Sequence, residues 1–211
     1  VQEFYSIMDG FPTLPPLEAL ELLDARYADA RVRSYAVKQL ELFTDAQLAD
    51  YLLQLVQVLK YEPYHDSSLA RFLIRRALRS SRIGHTFFWF LKSEMHVPDI
   101  AERYGLLLEA YLRGVPNFRK ELQKQTSMLS ILEDTARAIK EKDVQGADRM
   151  DIMVRGLMKL KFPSPIQLPL SPMFEIRALN IPKCRFMDSK KMPLWLSFTN
   201  VDADGDDVKT I

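Results

Sequence analysis

Thr44–Leu59, TDAQLADYLLQLVQVL, reads as one amphipathic helix that carries its own start signal. Thr44 can accept from the backbone amide three residues on, and Gln47 can reach back, so two otherwise orphaned amides are met. Leu48, Tyr51, Leu52, Leu55 and Leu59 then recur at helical spacing and build one apolar face.

The same pattern continues on both sides. Upstream, Pro15-Pro16 opens a helix through Leu17, Leu20, Leu22 and Leu23, because proline is tolerated in a first turn. Asp29 caps a second, with Val32, Tyr35, Ala36 and Leu40 on one face. Downstream, Pro63 breaks the chain and Asp66 is expected to cap a helix with Leu69, Phe72, Leu73 and Ala77 inward and Arg71, Arg75, Arg76 and Arg79 outward. Ile83–Met95 is apolar on most sides, the mark of a central buried helix. Pro98 starts another, through Ile100, Tyr104, Leu107, Leu108 and Tyr111, and Gly114 ends it. A long helix is predicted from about Asn117 to Lys142, and a shorter one over Met150, Met153, Val154, Leu157 and Leu160. Helices of about a dozen residues with short turns pair at roughly the spacing of HEAT or armadillo repeats. Such pairs bury a core only by stacking, which predicts a mainly α, HEAT/armadillo-like solenoid over residues 1–162.

At Phe162 the composition changes. Pro163, Pro165, Pro169 and Pro172 exclude a helix and predict an extended linker over 163–175. Over 176–211 the pattern is strand-like: Ala178–Ile181, Cys184–Met187 and Leu194–Phe198, with a turn at Asp188–Lys191, an acidic loop at Val201–Asp207, and a strand opening at Val208–Ile211.

Composition bounds the function. Lys+Arg is 29 against Asp+Glu 28, a net charge of +1, which argues against nucleic acid as a partner. One cysteine, Cys184, excludes an intrachain disulfide and fits a reduced compartment. No run approaches the roughly eighteen apolar residues of a membrane span. The N-terminus carries no signal-peptide pattern, and the chain reads as an excised piece. His65, His85 and His96 lack ligand spacing, and no metal site is predicted. Cys184 reads as a half-buried strand residue. Asp202, Asp204, Asp206 and Asp207 lack the glycine placement and closing glutamate of a calcium loop. Arg71, Arg75, Arg76, Arg79 and Arg82 form a basic helix face, either a solvated surface or a docking face for an acidic partner, a domain or anionic membrane headgroups. In Lys183–Phe198, KCRFMDSKKMPLWLSF, a strand, a Ser-Lys-Lys turn and a return strand would aim amides, a hydroxyl and two ammonium groups at one spot. Such a spot suits phosphates, and an ordinary basic hairpin stays open beside it.

The run Cys184–Leu196, CRFMDSKKMPLWL, closely resembles the phosphate-binding loop of the phosphoinositide 3-kinases. LPPLEALELLD (Leu14–Asp24), YLLQLVQVLKYEPYHDSSLARFL (Tyr51–Leu73), RIGHTFFWFLKSEMH (Arg82–His96) and LLLEAYLRG (Leu106–Gly114) resemble the helical accessory domain of the class I enzymes. The resemblance covers essentially the whole chain and implies a helical domain followed by the first strands of a kinase N-lobe. It implies ATP- and Mg2+-dependent phosphorylation of the inositol 3-hydroxyl of phosphatidylinositol 4,5-bisphosphate and related phosphoinositides. It also implies a regulatory subunit, peripheral contact with a membrane surface, and a cytoplasmic protein recruited to the inner face of the plasma membrane. Ser189 and Lys191 would contact the nucleotide phosphates, with Lys190 beside them, and Met187 and Trp195 would wall the adenine pocket. Asp188 stands where relatives often carry a small residue. No catalytic residue is assigned, because the catalytic and activation loops, and the magnesium ligands, are expected beyond Ile211. The piece is therefore expected to be inactive alone, its helical domain acting as a spine. A class II enzyme and a non-catalytic HEAT-like scaffold are the alternative readings.

Overall fold

The structure, a computed structural model, describes residues 5, 10–141, 146–162, 164–202 and 205–210. The chain divides into two compact units, Val1–Pro116 and Asn117–Ile211.

The first unit is helical. Helix α1 (Pro16–Ala19) runs into a 3-10 turn at Leu20–Leu23. Then follow α2 (Ala30–Leu40), α3 (Asp45–Val58), α4 (Ser68–Arg79), α5 (Ser81–Glu94) and α6 (Pro98–Gly114). The cap of α3 forms as its sequence dictates: Gln47 N donates to Thr44 Oγ1 at 3.3 Å, and Thr44 N donates to Gln47 Oε1 at 3.0 Å. Asp29 Oδ1 caps α2, accepting from Arg31 N and Val32 N. Helix α4 is capped by Ser67, whose Oγ accepts from Ala70 N at 3.2 Å, and not by Asp66. Asp66 sits one residue too early for that bond and pairs instead with Arg71 at 2.5 Å.

Helix α2 packs on α4 and α4 on α6, while α3 packs on α5, and α5 also touches α4 and α6. Alternate helices thus form two layers, the packing of a helical solenoid. Leu48, Leu52 and Leu55 of α3, Phe72 and Leu73 of α4, and Ile83, Phe87 and Leu91 of α5 are fully buried. Gly84 permits the closest approach in this core. A Cβ there would lie 2.6 Å from the Ala77 carbonyl oxygen and would overlap the Tyr111 hydroxyl. Leu17 is 56% exposed, and Ala19 and Leu23 take the buried side of that first segment.

Two arginines are structural. Arg33 is buried; its Nε donates to Glu62 Oε1 at 2.7 Å and its Nη1 to the carbonyls of Leu23 (3.0 Å), Asp24 (3.3 Å) and Tyr27 (3.1 Å). It satisfies carbonyls left open where the 3-10 turn ends. Arg76, expected on the outer face, is 8% exposed. It continues the stripe Leu69, Phe72, Leu73 and Ala77, and donates to Phe43 O at 2.9 Å and Asp45 Oδ1 at 2.7 Å. Arg71 pairs with Asp66 and Arg75 with Glu41. The expected five-arginine face is therefore reduced to Arg79 and Arg82 as exposed cations outside these pairs.

The second unit places α7 (Pro116–Lys140) and α8 (Gly146–Leu157) with an antiparallel sheet. Its strands are β1 (Ile166–Leu168), β2 (Ser171–Leu179), β3 (Arg185–Phe186), β4 (Leu194–Asn200) and β5 (Val208–Thr210). The order is β1-β2-β4-β3, and β5 also pairs with β4. Lys142, the expected end of the long helix, lies outside the described residues. The proline-bearing stretch expected as a linker holds β1 and the start of β2. Ile166 pairs with Ile176 and Gln167 with Glu175, but Leu168 pairs with Ser171, so Pro172–Phe174 bulge out of the ladder. A proline without an N–H is tolerated there. Met128, Leu132 and Ile139 of α7, Met153 and Leu157 of α8, and Ile176, Leu196 and Phe198 of the sheet form one core.

Candidate functional site

Strands β3 and β4 pair with Arg185 opposite Trp195 and Phe186 opposite Leu194. Met187 N donates to Pro193 O at 2.9 Å, which extends the pairing one step and leaves Asp188–Met192 as the connecting loop. The loop closes as a turn: Met192 N donates to Ser189 O at 3.0 Å and approaches Ser189 Oγ at 3.3 Å. Lys190 and Lys191 occupy its two central positions. Met192 takes φ 47°, left-handed backbone that non-glycine residues rarely adopt. Its side chain is 7% exposed and belongs to the core, so burial holds the turn in this strained form.

The alternation of β4 sends Leu194, Leu196 and Phe198 to the core and Trp195 to the other face. The Arg185 guanidinium lies over the indole at 5.0 Å, a cation–π pair directly across the strands. Met187, two residues past Arg185, shares that face and is 42% exposed. Ser189, Lys190 and Lys191 are all exposed. Among the described residues the amides of Ser189, Lys190 and Lys191 make no hydrogen bond. One loop tip thus presents two ammonium groups, a hydroxyl able to donate and three unengaged amides, the donor set that a phosphate takes.

The structure brings Ser189, Lys190 and Lys191 onto one turn and Met187 and Trp195 onto the adjoining face of the hairpin. Three cavities of this unit lie along α7, facing α8, the segment after α8 or the sheet, and none of them is lined by those five residues. Arg185 and Met192 were not singled out from the sequence. Arg185 could have been found by pairing outward from the turn to the residue facing Trp195; the left-handed Met192 left no composition signal.

The remaining candidates fall into structural roles. Asp207 accepts from Lys183 Nζ at 2.6 Å, and the hydrogen bond from this ammonium holds its carboxyl below the usual carboxylate range. It ties the acidic loop to the segment before β3. Asp204 lies outside the described residues. Cys184 is 6% exposed; its thiol donates to Asn180 O at 3.3 Å, and burial pushes its pKa up, away from nucleophile chemistry. His85 is buried within α5 and His65 is exposed, while Nδ1 of the exposed His96 lies 2.7 Å from Ser93 O. Among the described residues no three of His, Cys, Asp and Glu converge as metal ligands, and no helix is long and apolar enough to cross a membrane.

Comparison with known proteins identifies the family. Residues 1–124 match the phosphoinositide 3-kinase family accessory domain (PIK domain). The chain is 53% identical over 203 residues to phosphatidylinositol 3-kinase 2 of Dictyostelium discoideum, covering 96% of this chain and 11% of that protein. It is 47% identical over 211 residues to phosphatidylinositol 3-kinase 1 of the same organism, covering 100% of this chain and 13% of that protein. The chain therefore spans little more than a tenth of the length of these relatives. With the accessory-domain match over more than half its residues, and a helical unit of the expected architecture, the chain belongs to the phosphoinositide 3-kinase family.

Proposed function

We propose that the chain is part of a class I lipid kinase that moves the γ-phosphate of ATP to the 3-hydroxyl of phosphatidylinositol 4,5-bisphosphate and related phosphoinositides. The observation that carries this reading is the Asp188–Met192 loop, with its hydroxyl, two ammonium groups and free amides at one tip. Phosphoryl transfer is catalysed chiefly by positioning and by neutralising charge, and the loop offers both. On this reading Ser189 donates to a phosphate oxygen, Lys191 pairs with the same phosphates, and Lys190 adds a second cation. Met187 and Trp195 offer an apolar wall to the adenine. Such a transfer uses a magnesium ion; among the described residues no three of His, Cys, Asp and Glu converge as metal ligands, and no residue is assigned to it.

Support for the lipid substrate comes from the names of the two Dictyostelium relatives. Residues 1–162 would serve as the accessory scaffold, 163–175 as the connection and 176–211 as the opening of the catalytic domain. A regulatory subunit would meet the scaffold, and the whole enzyme would work in the cytoplasm, recruited peripherally to the inner face of the plasma membrane. The near-zero net charge favours no nucleic-acid role.

The test is a protein extended to the length of its relatives, assayed for 3-phosphorylation of phosphatidylinositol 4,5-bisphosphate in vesicles. Lys191→Ala removes one charge-assisted hydrogen bond, worth roughly 1.5–3 kcal/mol. Activity should fall by roughly ten- to a hundredfold. An indifferent variant would take Lys191 out of the site. A folded, complete and inactive protein with its regulatory subunit would favour the helical scaffold instead. The 211 residues alone are expected to phosphorylate no lipid.

A further inference from the structure

Helix α7 carries a stripe that borders its core-facing side and shares Met128 with it: Lys120, Gln123, Lys124, Ser127, Met128 and Ile131, spaced at i, i+3, i+4, i+7, i+8 and i+11. It forms one wall of a cavity of about 510 Å3. The opposite wall is the segment after α8, which brings Lys159 and Lys161. The floor is apolar: Met128 and Ile166 are 4% and 3% exposed, and Phe162 is half-buried.

Four ammonium groups therefore border one apolar floor from two sides. Lys124 is held in place, donating to Ser164 Oγ at 2.7 Å and pairing with Glu121 at 3.2 Å. Glu121 is committed as well, accepting from Gln167 N at 3.0 Å. Lys120, Lys159 and Lys161 have no ion pair among the described residues. A smaller cavity of about 360 Å3 shares Ile131 and Lys159 and adds Arg155, and its carboxylate, Asp134, is paired with Arg137. The charge is one-sided, and the volume falls in the range of small-molecule sites.

We infer that this cavity binds an anionic amphiphile, a phosphate or carboxylate head between the lysines with its apolar body on the Met128–Phe162–Ile166 floor. The site shares no residue with the Ser189–Lys191 turn, and the inference does not depend on the kinase reading. An acidic protein segment is disfavoured because a cavity of this size takes a single head and a short body.

The 211-residue chain should be titrated with soluble dihexanoyl phosphatidylserine, with phosphatidylcholine vesicles with and without 30 mol% phosphatidylserine, and with inorganic phosphate. Near an anionic membrane each lysine contributes roughly fivefold, so Lys120→Gln/Lys159→Gln/Lys161→Gln should weaken vesicle binding by about a hundredfold. Ser127→Phe keeps every charge and fills the cavity; binding should drop at least tenfold, and the Ile131 and Ile166 methyl NMR signals should stop responding to the short-chain lipid. Binding of the short-chain lipid without vesicles would assign a soluble amphiphile, and binding of both a membrane lipid; either supports the site. Inorganic phosphate binding as well as the lipid would overturn the amphiphile assignment. So would unchanged binding in Ser127→Phe, no binding of any probe, or capture of an acidic peptide in place of the lipid.

Discussion

Removing the Arg33 guanidinium tests how the first unit is held together. Arg33 and Glu62 are 2% and 5% exposed, so neither charge can be rehydrated in place. Arg33→Met retains most of the stem volume but leaves the Glu62 carboxylate buried without its cation. It also removes the donor to Leu23, Asp24 and Tyr27. Breaking a buried pair from one side costs about 3–5 kcal/mol. Asp24 and Tyr27 are exposed residues, so water can reach part of that carbonyl set, and a loss of about 4 kcal/mol is expected. That is a large share of the roughly 5–15 kcal/mol that stabilises a domain. Glu62→Gln keeps an acceptor for Arg33 Nε and should cost less, about 2–3 kcal/mol. The double variant should cost less than the sum of the singles by about 2 kcal/mol, because the second change removes a charge already stranded. Arg33→Lys should recover little, since one ammonium cannot span a carboxylate and three carbonyls in fixed directions. Urea unfolding of the 211-residue chain, followed by circular dichroism at 222 nm, measures all four variants. A cost for Arg33→Met below about 1 kcal/mol, or strict additivity in the cycle, would refute the clamp.

Gly84→Ala sets two effects against each other. Alanine gains about 1 kcal/mol of helix propensity over glycine, but its Cβ would sit 2.6 Å from a backbone oxygen; overpacking should win and leave a net loss of about 1–2 kcal/mol by the same urea assay. Met192→Gly relieves a left-handed φ worth about 1 kcal/mol but empties a core position. Thermal unfolding should show a net loss of about 2 kcal/mol. Burial raises the pKa of Tyr104 and of Tyr111 to about 12, above the ordinary value of 10.0. The folded state therefore holds these protons longer than the unfolded chain. Their contribution, about 2 kcal/mol each, is full below pH 10 and is lost as pH rises from 10 towards 12. Phenolate absorbance near 295 nm should rise together with unfolding, and ionisation of every tyrosine near pH 10 with the fold intact would contradict this.

The helices were legible where residue type and phase agreed. Thr44 and Gln47 stand at the two offsets that a reciprocal cap requires, and the cap forms. Asp66 and Ser67 are adjacent oxygen-bearing side chains, and only Ser67 stands three residues before the amide of Ala70 that the cap engages. Arg76 was assigned outward from its charge, although its position, four after Phe72 and three after Leu73, lies on the buried stripe; phase outweighed charge because Asp45 and the Phe43 carbonyl await it there. Strand β1 and the start of β2 were hidden by prolines, since a bulge that absorbs Pro172 is a property of pairing and not of composition; the strand expected at Ala178–Ile181 meets only the end of β2, and Ile181 opens a 3-10 turn through Lys183. The Ser189–Lys191 turn could be read from its residues. The Arg185–Trp195 stack could not, because it depends on a register fixed by the five-residue loop. The lysine-bordered cavity was equally invisible, as its walls lie about forty residues apart in sequence and meet only in the fold.

Of the two tryptophans, Trp89 lies in the first unit and Trp195 in the second. The indole of Trp89 sits edge-on to Phe88 at 5.0 Å, while that of Trp195 lies beneath a guanidinium. The chain therefore carries one tryptophan per unit, each in its own electrostatic surroundings and excited apart from the tyrosines at the red edge of the band. Trp89→Phe would leave an emission that reports only on the hairpin unit, and Trp195→Phe one that reports only on the helical unit. Two spectra from two single-tryptophan proteins would then tell whether the units melt as one cooperative block or in sequence, with no dye or label attached.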